Sequence, residues 1–155
     1  MLRLSKLTDY AVVVLIRLAD RSRAVTCEAV QTSPGIAALT GIPEPTVAKV
    51  LKALSAAGLV ASQRGAHGGY RLIKPLHAVS VADVIAAIDG PIALTACVDG
   101  GEGCDVQAIC AVKGRWDLVN DAIHAALASI TLADMSQASV PPAFRVASHQ
   151  LPAAE

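Results

Sequence analysis

The residues of this 155-residue chain best equipped for chemistry are its four cysteines, Cys27, Cys97, Cys104 and Cys110. The last three fall within fourteen positions, spaced C-x6-C-x5-C, in a stretch that also holds Gly100, Gly101 and Gly103. An irregular, glycine-bearing segment lets several thiolates converge on one centre, which a regular helix or strand at that spacing does not allow. Soft thiolates suit zinc or an iron-sulfur cluster. From the spacing alone, inert buried thiols and a reactive thiol switch stay open as well. No C-x-x-C pair occurs, which disfavours thioredoxin-like redox chemistry. Cys27 stands apart from the triplet and is expected to serve as a small buried hydrophobe.

Nothing else in the sequence assembles into a catalytic set. His67, His77, His124 and His149 are scattered, and there is no Ser/His/Asp constellation, phosphate loop or helical histidine pair. An enzyme is therefore the least favoured class. No apolar run approaches a bilayer span, because Arg17 and Asp20 interrupt the most hydrophobic N-terminal stretch. With no signal-peptide pattern either, the expectation is a cytoplasmic protein without membrane partners.

The net charge of zero conceals a split. Residues 1–75 hold ten Lys/Arg against four Asp/Glu, a net +6, whereas residues 76–155 hold three against nine, a net −6. A basic first half is what binding to a polyanion needs, since phosphate neutralisation supplies most non-specific DNA affinity.

The elements that position these charges read in a recognisable order. Leu7, Tyr10, Ala11, Val14, Leu15 and Leu18 form one apolar stripe of a helix over about residues 5–21. Ser33 as N-cap and Pro34 as first helical residue open a short second helix that Gly41 stops. Pro45 opens a third, with Val47, Val50, Leu51 and Leu54 inward and Thr46, Lys49 and Lys52 elsewhere; Gly58 ends it. Two short strands over about residues 59–64 and 70–73 flank the Gly65-Ala66-His67-Gly68-Gly69 turn. Helix, short helix, turn, helix and hairpin is the order of a winged helix-turn-helix, in which the third helix would enter the major groove. Thr46, Lys49 and Lys52 on that helix, with Arg64, Gly65 and His67 on a thin wing, are the candidate DNA-binding residues. A basic side chain at a wing tip suits the focused negative potential of a minor groove.

Past Pro75, Ser80 and Asp83 form a capping box for a fourth helix ending at Gly90-Pro91. From about Val112, Trp116, Val119, Ile123, Ala126, Leu127 and Ile130 recur at three- or four-residue steps, a seam expected to join two copies of the chain. The expected fold is thus mainly α: a winged helix-turn-helix with a long C-terminal dimerisation helix. Its expected parts are the DNA-binding domain (1–75), a helix and cysteine loop (76–111), the dimerisation helix and its extension (112–135), and a mobile tail (136–155).

Several segments together resemble one family. They are Leu4-Ser5-Lys6-Leu7-Thr8-Asp9-Tyr10-Ala11-Val12, the hairpin from Gly58 through Arg64-Gly65-Ala66-His67-Gly68-Gly69-Tyr70-Arg71-Leu72, and the three cysteines followed by Trp116 and Ile130-Thr131-Leu132. In order and spacing these match the Rrf-type iron-sulfur transcription regulators, the group of IscR and NsrR, over about residues 1–135. The opening and the run Pro43 to Lys52 look closest to the regulators of the SUF iron-sulfur assembly system. The resemblance implies a homodimer with two winged helices on a palindromic double-stranded DNA operator. It further implies repression of iron-sulfur assembly genes and a 2Fe-2S or 4Fe-4S cluster on Cys97, Cys104 and Cys110, whose state changes operator affinity. Arg64 matches the wing arginine.

Two positions depart from the IscR branch. Lys113 stands where a histidine follows the third cysteine, and an ammonium cannot ligate; Ala48-Lys49 replaces Glu-Gln on the recognition helix, so a different operator is implied. The resemblance to NsrR-like members implies Asp9, from the first helix of the partner subunit, as a fourth ligand. Asp9 is also the only acid in the first nineteen residues, and its plain alternative is a carboxylate favourable to the helix dipole. The rival readings of the whole chain are a nitric-oxide- or thiol-sensing regulator on the same scaffold and a zinc-binding interaction module.

Overall fold

Ser5 starts the first helix: its hydroxyl accepts the Thr8 N–H at 3.2 Å, and α1 (Lys6–Ala19) follows. The architecture comes from a computed structural model, which describes residues 4–20, 30–65, 68–96, 98, 110–112 and 114–137. The apolar stripe read from the sequence puts Ala11, Val14 and Leu15 wholly inside. At its end Arg17 and Asp20 pair at 2.8 Å.

The second helix, α2 (Ser33–Thr40), starts one residue earlier than expected. Thr32, not Ser33, is the N-cap, accepting the Gly35 N–H at 3.2 Å, and Pro34 sits second in the helix. Adjacent Thr32 and Ser33 both carry a hydroxyl suited to capping, and local sequence does not rank them. Gly41 ends α2 in the left-handed region at φ 72°, as read. The third helix, α3 (Glu44–Ala56), likewise begins at Glu44 rather than Pro45. It closes through Gly58 at φ 72°, where the Leu59 N–H reaches Leu54 O at 3.0 Å and the Gly58 N–H reaches Ser55 O at 3.1 Å. That pair of bonds is a Schellman cap, and the apolar residues it joins, Leu54 and Leu59, are both buried.

The cap aims the chain into β1 (Val60–Gln63), which pairs antiparallel with β2 (Gly69–Leu72), Val60 opposite Leu72 and Gln63 opposite Gly69. A third backbone joins this hairpin: Gln31, just before α2, exchanges both hydrogen bonds with Tyr70 at 2.8 and 3.0 Å. The approach explains Gly69, where a Cβ would stand 2.8 Å from Gln31 O.

Beyond a 3-10 turn (Leu76–Ala78), the Ser80–Asp83 capping box opens α4 (Val81–Ile88) as expected. Val79 and Val84 join one buried cluster with Val14 and Leu15 of α1, Ile36 of α2, Val47, Val50, Leu51 and Leu54 of α3, and Leu132. Leu132 belongs to an element absent from the sequence reading. The expected long C-terminal helix is two helices, α5 (Arg115–Ser129) and α6 (Leu132–Gln137). Ile130 is extended at φ −99° and ψ 121°, and its carbonyl accepts the Val81 N–H at 2.9 Å. Ser80 and Thr131 form a β-bridge, and Thr131 and Asp134 cap α6 reciprocally. The chain therefore turns at Ile130 and packs α6 back on α1 and the 3-10 turn. Among the described residues no helix is long and apolar enough to cross a membrane.

Candidate nucleic-acid interface and thiolate segment

Helix α3 divides into two faces. Val47, Val50, Leu51 and Leu54 are buried, and this packing holds the helix against α1 and α2. Glu44, Pro45, Ala48, Lys49, Lys52 and Ala56 are exposed, and Thr46 is half-buried at the border. The outward face thus carries Glu44 at its start and small residues flanked by two lysines beyond it, narrow enough for a helix to approach a groove floor. Lys49, Lys52 and Arg64 have no side-chain hydrogen-bond or ion-pair partner among the described residues. Their charge is available to an outside anion.

The wing holds two more of the expected residues. Arg64 and Gly65 are exposed just past β1, and Gly65 takes φ 114°. Its carbonyl accepts the Gly68 N–H at 2.9 Å. His67 lies outside the described residues.

Of the thiolate segment, Cys97 and Cys104 likewise lie outside the described residues, as do Cys27 and Lys113. Cys110 is a free, half-buried thiol in the irregular chain leading to α5. Asp9 is exposed in the first turn of α1. Among the described residues no three His, Cys, Asp or Glu side chains form a metal-binding group.

Two polar struts that sequence reading missed hold the chain that leads from α4 into this segment. At its start Asp89, the C-cap of α4, accepts the Thr8 hydroxyl at 2.7 Å and the Ser5 N–H at 3.3 Å, tying α4 to the first turn of α1 beside Asp9. Thr8 is buried, and its hydroxyl, which also lies 3.2 Å from that of Ser5, is fully engaged by donating to the Asp89 carboxylate. Further along, the buried Asn120 side chain of α5 accepts the Leu94 N–H at 3.1 Å. An asparagine within an apolar seam was the available signal for the second strut. The first joins residues more than eighty positions apart and leaves no local pattern.

The expected dimer seam is largely uncovered in the single chain. Trp116 is 41% exposed, Val119 44% and Ile130 44%, with Leu118 at 77%. Ala126 is exposed and Ile123 and Leu127 are half-buried, while α5 packs on α4.

Comparison with known proteins agrees with this geometry. Residues 4–138 match the Rrf2 family model, described as an iron-dependent transcriptional regulator. An rrf2-like helix-turn-helix transcriptional regulator of Rhodobacter capsulatus is 34% identical over 139 residues, 86% of this chain and 92% of that one. Among solved structures, CymR, the global cysteine regulator of B. subtilis, superposes with a TM-score of 0.64 at 28% identity, covering 90% of this chain and 100% of that one. IscR of T. potens gives 0.60 at 29% identity, covering 90% and 94%. With the family model matched over residues 4–138 and a relative 34% identical over nearly the whole of both chains, the chain belongs to the Rrf2 family of DNA-binding transcriptional regulators.

Proposed function

We propose that the protein is a homodimeric repressor of iron-sulfur assembly genes that senses cluster or iron status. Two copies joined along α5 would place two α3 helices and two wings on the half-sites of a palindromic operator. Thr46, Lys49 and Lys52 would face the major groove, and Arg64, Gly65 and His67 the adjoining groove. The uncovered stripe of Trp116, Val119, Ile123, Ala126, Leu127 and Ile130 supports that pairing, because so much exposed apolar surface on one helix marks an association face.

The observation that carries the sensing half is the donor set. Three cysteines sit in one short stretch, and Cys110 is a free half-buried thiol there. Soft thiolates of this kind fit a 2Fe-2S or 4Fe-4S cluster, held by Cys97, Cys104 and Cys110 with Asp9 of the partner completing the set. Bound there, the cluster supplies a redox- and iron-sensitive centre. A carboxylate is a harder donor than thiolate, so a cluster held in this way would be labile. Asp89 and Asn120 would pass its presence to the fold by tying the approach to the cysteine segment to α1 and to α5.

The visible absorbance of anaerobically purified protein tests this. Charge-transfer bands are expected in the wild type and in Cys27→Ser, and are lost in each of Cys97→Ser, Cys104→Ser and Cys110→Ser. Colourless wild-type protein would instead favour regulation by the thiols themselves, a second reading that the likeness to a cysteine regulator supports.

A further inference from the structure

The first turn of α3 lacks what normally lets a helix N-terminus hold phosphate. Such sites depend on several backbone N–H groups left without helical partners. Here Pro43 and Pro45 have no N–H, and the Thr46 and Val47 N–H groups are both taken by Pro43 O at 2.9 and 3.1 Å. One N–H remains, that of Glu44. The side chain beside it is an exposed carboxylate with no ion-pair or hydrogen-bond partner among the described residues.

Glu44 is placed where it would meet DNA. It shares the row 44, 48, 52 along α3 with Ala48 and Lys52, all three exposed, and it leads that row at the helix end. Against a polyanion, a free carboxylate there opposes binding wherever it meets phosphate. It favours binding only where DNA offers a donor. In the major groove the donors are the exocyclic amino groups, cytosine N4 and adenine N6, and a carboxylate pairs with cytosine N4.

We propose that Glu44 is a specificity-determining residue that accepts a hydrogen bond from a cytosine amino group in each half-site. The proposal rests on α3 being the reading helix. Ala48, one turn further on, has no polar group to read with, so the acidic end of the row supplies discrimination that the middle cannot. Lys49 and Lys52 supply attraction. The cost of Glu44 falls on wrong sequences, where the carboxylate faces carbonyl oxygens or phosphate unpaired.

The test selects binding sites for the full-length wild type from a randomised double-stranded DNA library. Affinities for the winning duplex and its single-base-pair substitutions are then measured for the wild type, Glu44→Ala, Glu44→Gln and Lys49→Ala. One position per half-site is expected to favour cytosine by about 5- to 150-fold in the wild type. Glu44→Ala becomes indifferent there and binds unrelated duplex more tightly. Glu44→Gln moves the preference toward adenine, whose N6 and N7 an amide pairs with. A carboxylate that serves only the helix dipole would lower Tm in both variants and leave every base preference unchanged, which overturns the proposal. So does a wild-type preference for adenine at the affected position. If Glu44→Ala and Lys49→Ala both keep the wild-type preferences, the reading-helix assignment itself falls. If Lys49→Ala shifts them and Glu44→Ala does not, only the Glu44 assignment fails.

Discussion

Helices α3 and α5 have similar lengths, thirteen and fifteen residues, yet they finish their surfaces in opposite ways. Helix α3 spends its apolar residues inside its own chain: Val47, Val50, Leu51 and Leu54 are fully buried, and what it shows is small or charged. Helix α5 buries Asn120 and leaves Trp116, Leu118 and Val119 outside. Under the proposed function, the helix that would meet a highly charged polymer is made rigid by its own core and presents charge, and the helix that would meet a second copy keeps its apolar side uncovered.

Substitutions on the two helices should break this contrast in different observables. Leu51→Ala, in the core of α3, is expected to destabilise the fold by about 2–5 kcal/mol, read as a lowered denaturation midpoint. A loss below about 1 kcal/mol would mean that α3 is not held as described. Val119→Asp on α5 should leave the midpoint of the monomer nearly unchanged while raising the dimer dissociation constant at least tenfold, or about 1.4 kcal/mol, in sedimentation experiments. An unaltered dimer would move the interface away from this stripe. Arg64→Ala should weaken operator binding by about 1–3 kcal/mol without affecting either assembly or stability.

The smallest effect separates the struts from both helices. Burial acts to raise the Asp89 pKa, but the hydrogen bonds from Thr8 and Ser5 prevail and hold it below 3.8. Asp83 is lowered mainly by the Ser80 N–H, and Asp134 by the Thr131 hydroxyl. A depressed folded pKa means that the unfolded chain binds more protons in acid. The stabilisation is therefore present well above pH 3.8 and is lost as pH falls through and below that value. Asp89→Asn should show a shallower fall in Tm than the wild type between about pH 6 and about pH 3. Parallel curves would mean that the α1–α4 strut carries no charge-dependent stability.

Legibility in the sequence followed how local each feature is. The stripe of α1, the Gly41 and Gly58 stops, the Ser80–Asp83 box and the glycine wing are written within a few residues and appear where expected. Non-local pairings were not readable: the Gln31–Tyr70 and Ser80–Thr131 bridges and the Asp89–Thr8 bond each join distant segments. Helix α6 is a different case, because Thr131-Leu132-Ala133-Asp134 carries a capping signal as clear as that at Ser80. The apolar period through Ile130 concealed it, although that residue's backbone is committed to α4. The cation-bearing face of α3 was legible from periodicity. Of the cysteine segment, the donor set is an expectation from spacing and resemblance, and among its three cysteines only Cys110 has a described position.

The most direct test of the central claim measures operator affinity on one anaerobic preparation before and after its iron is removed by chelation, with Cys110→Ser treated identically. The wild type should change its operator affinity when the visible absorbance is lost, and Cys110→Ser should show one affinity throughout. Equal wild-type affinity in the coloured and colourless states would contradict a cluster-sensing regulator.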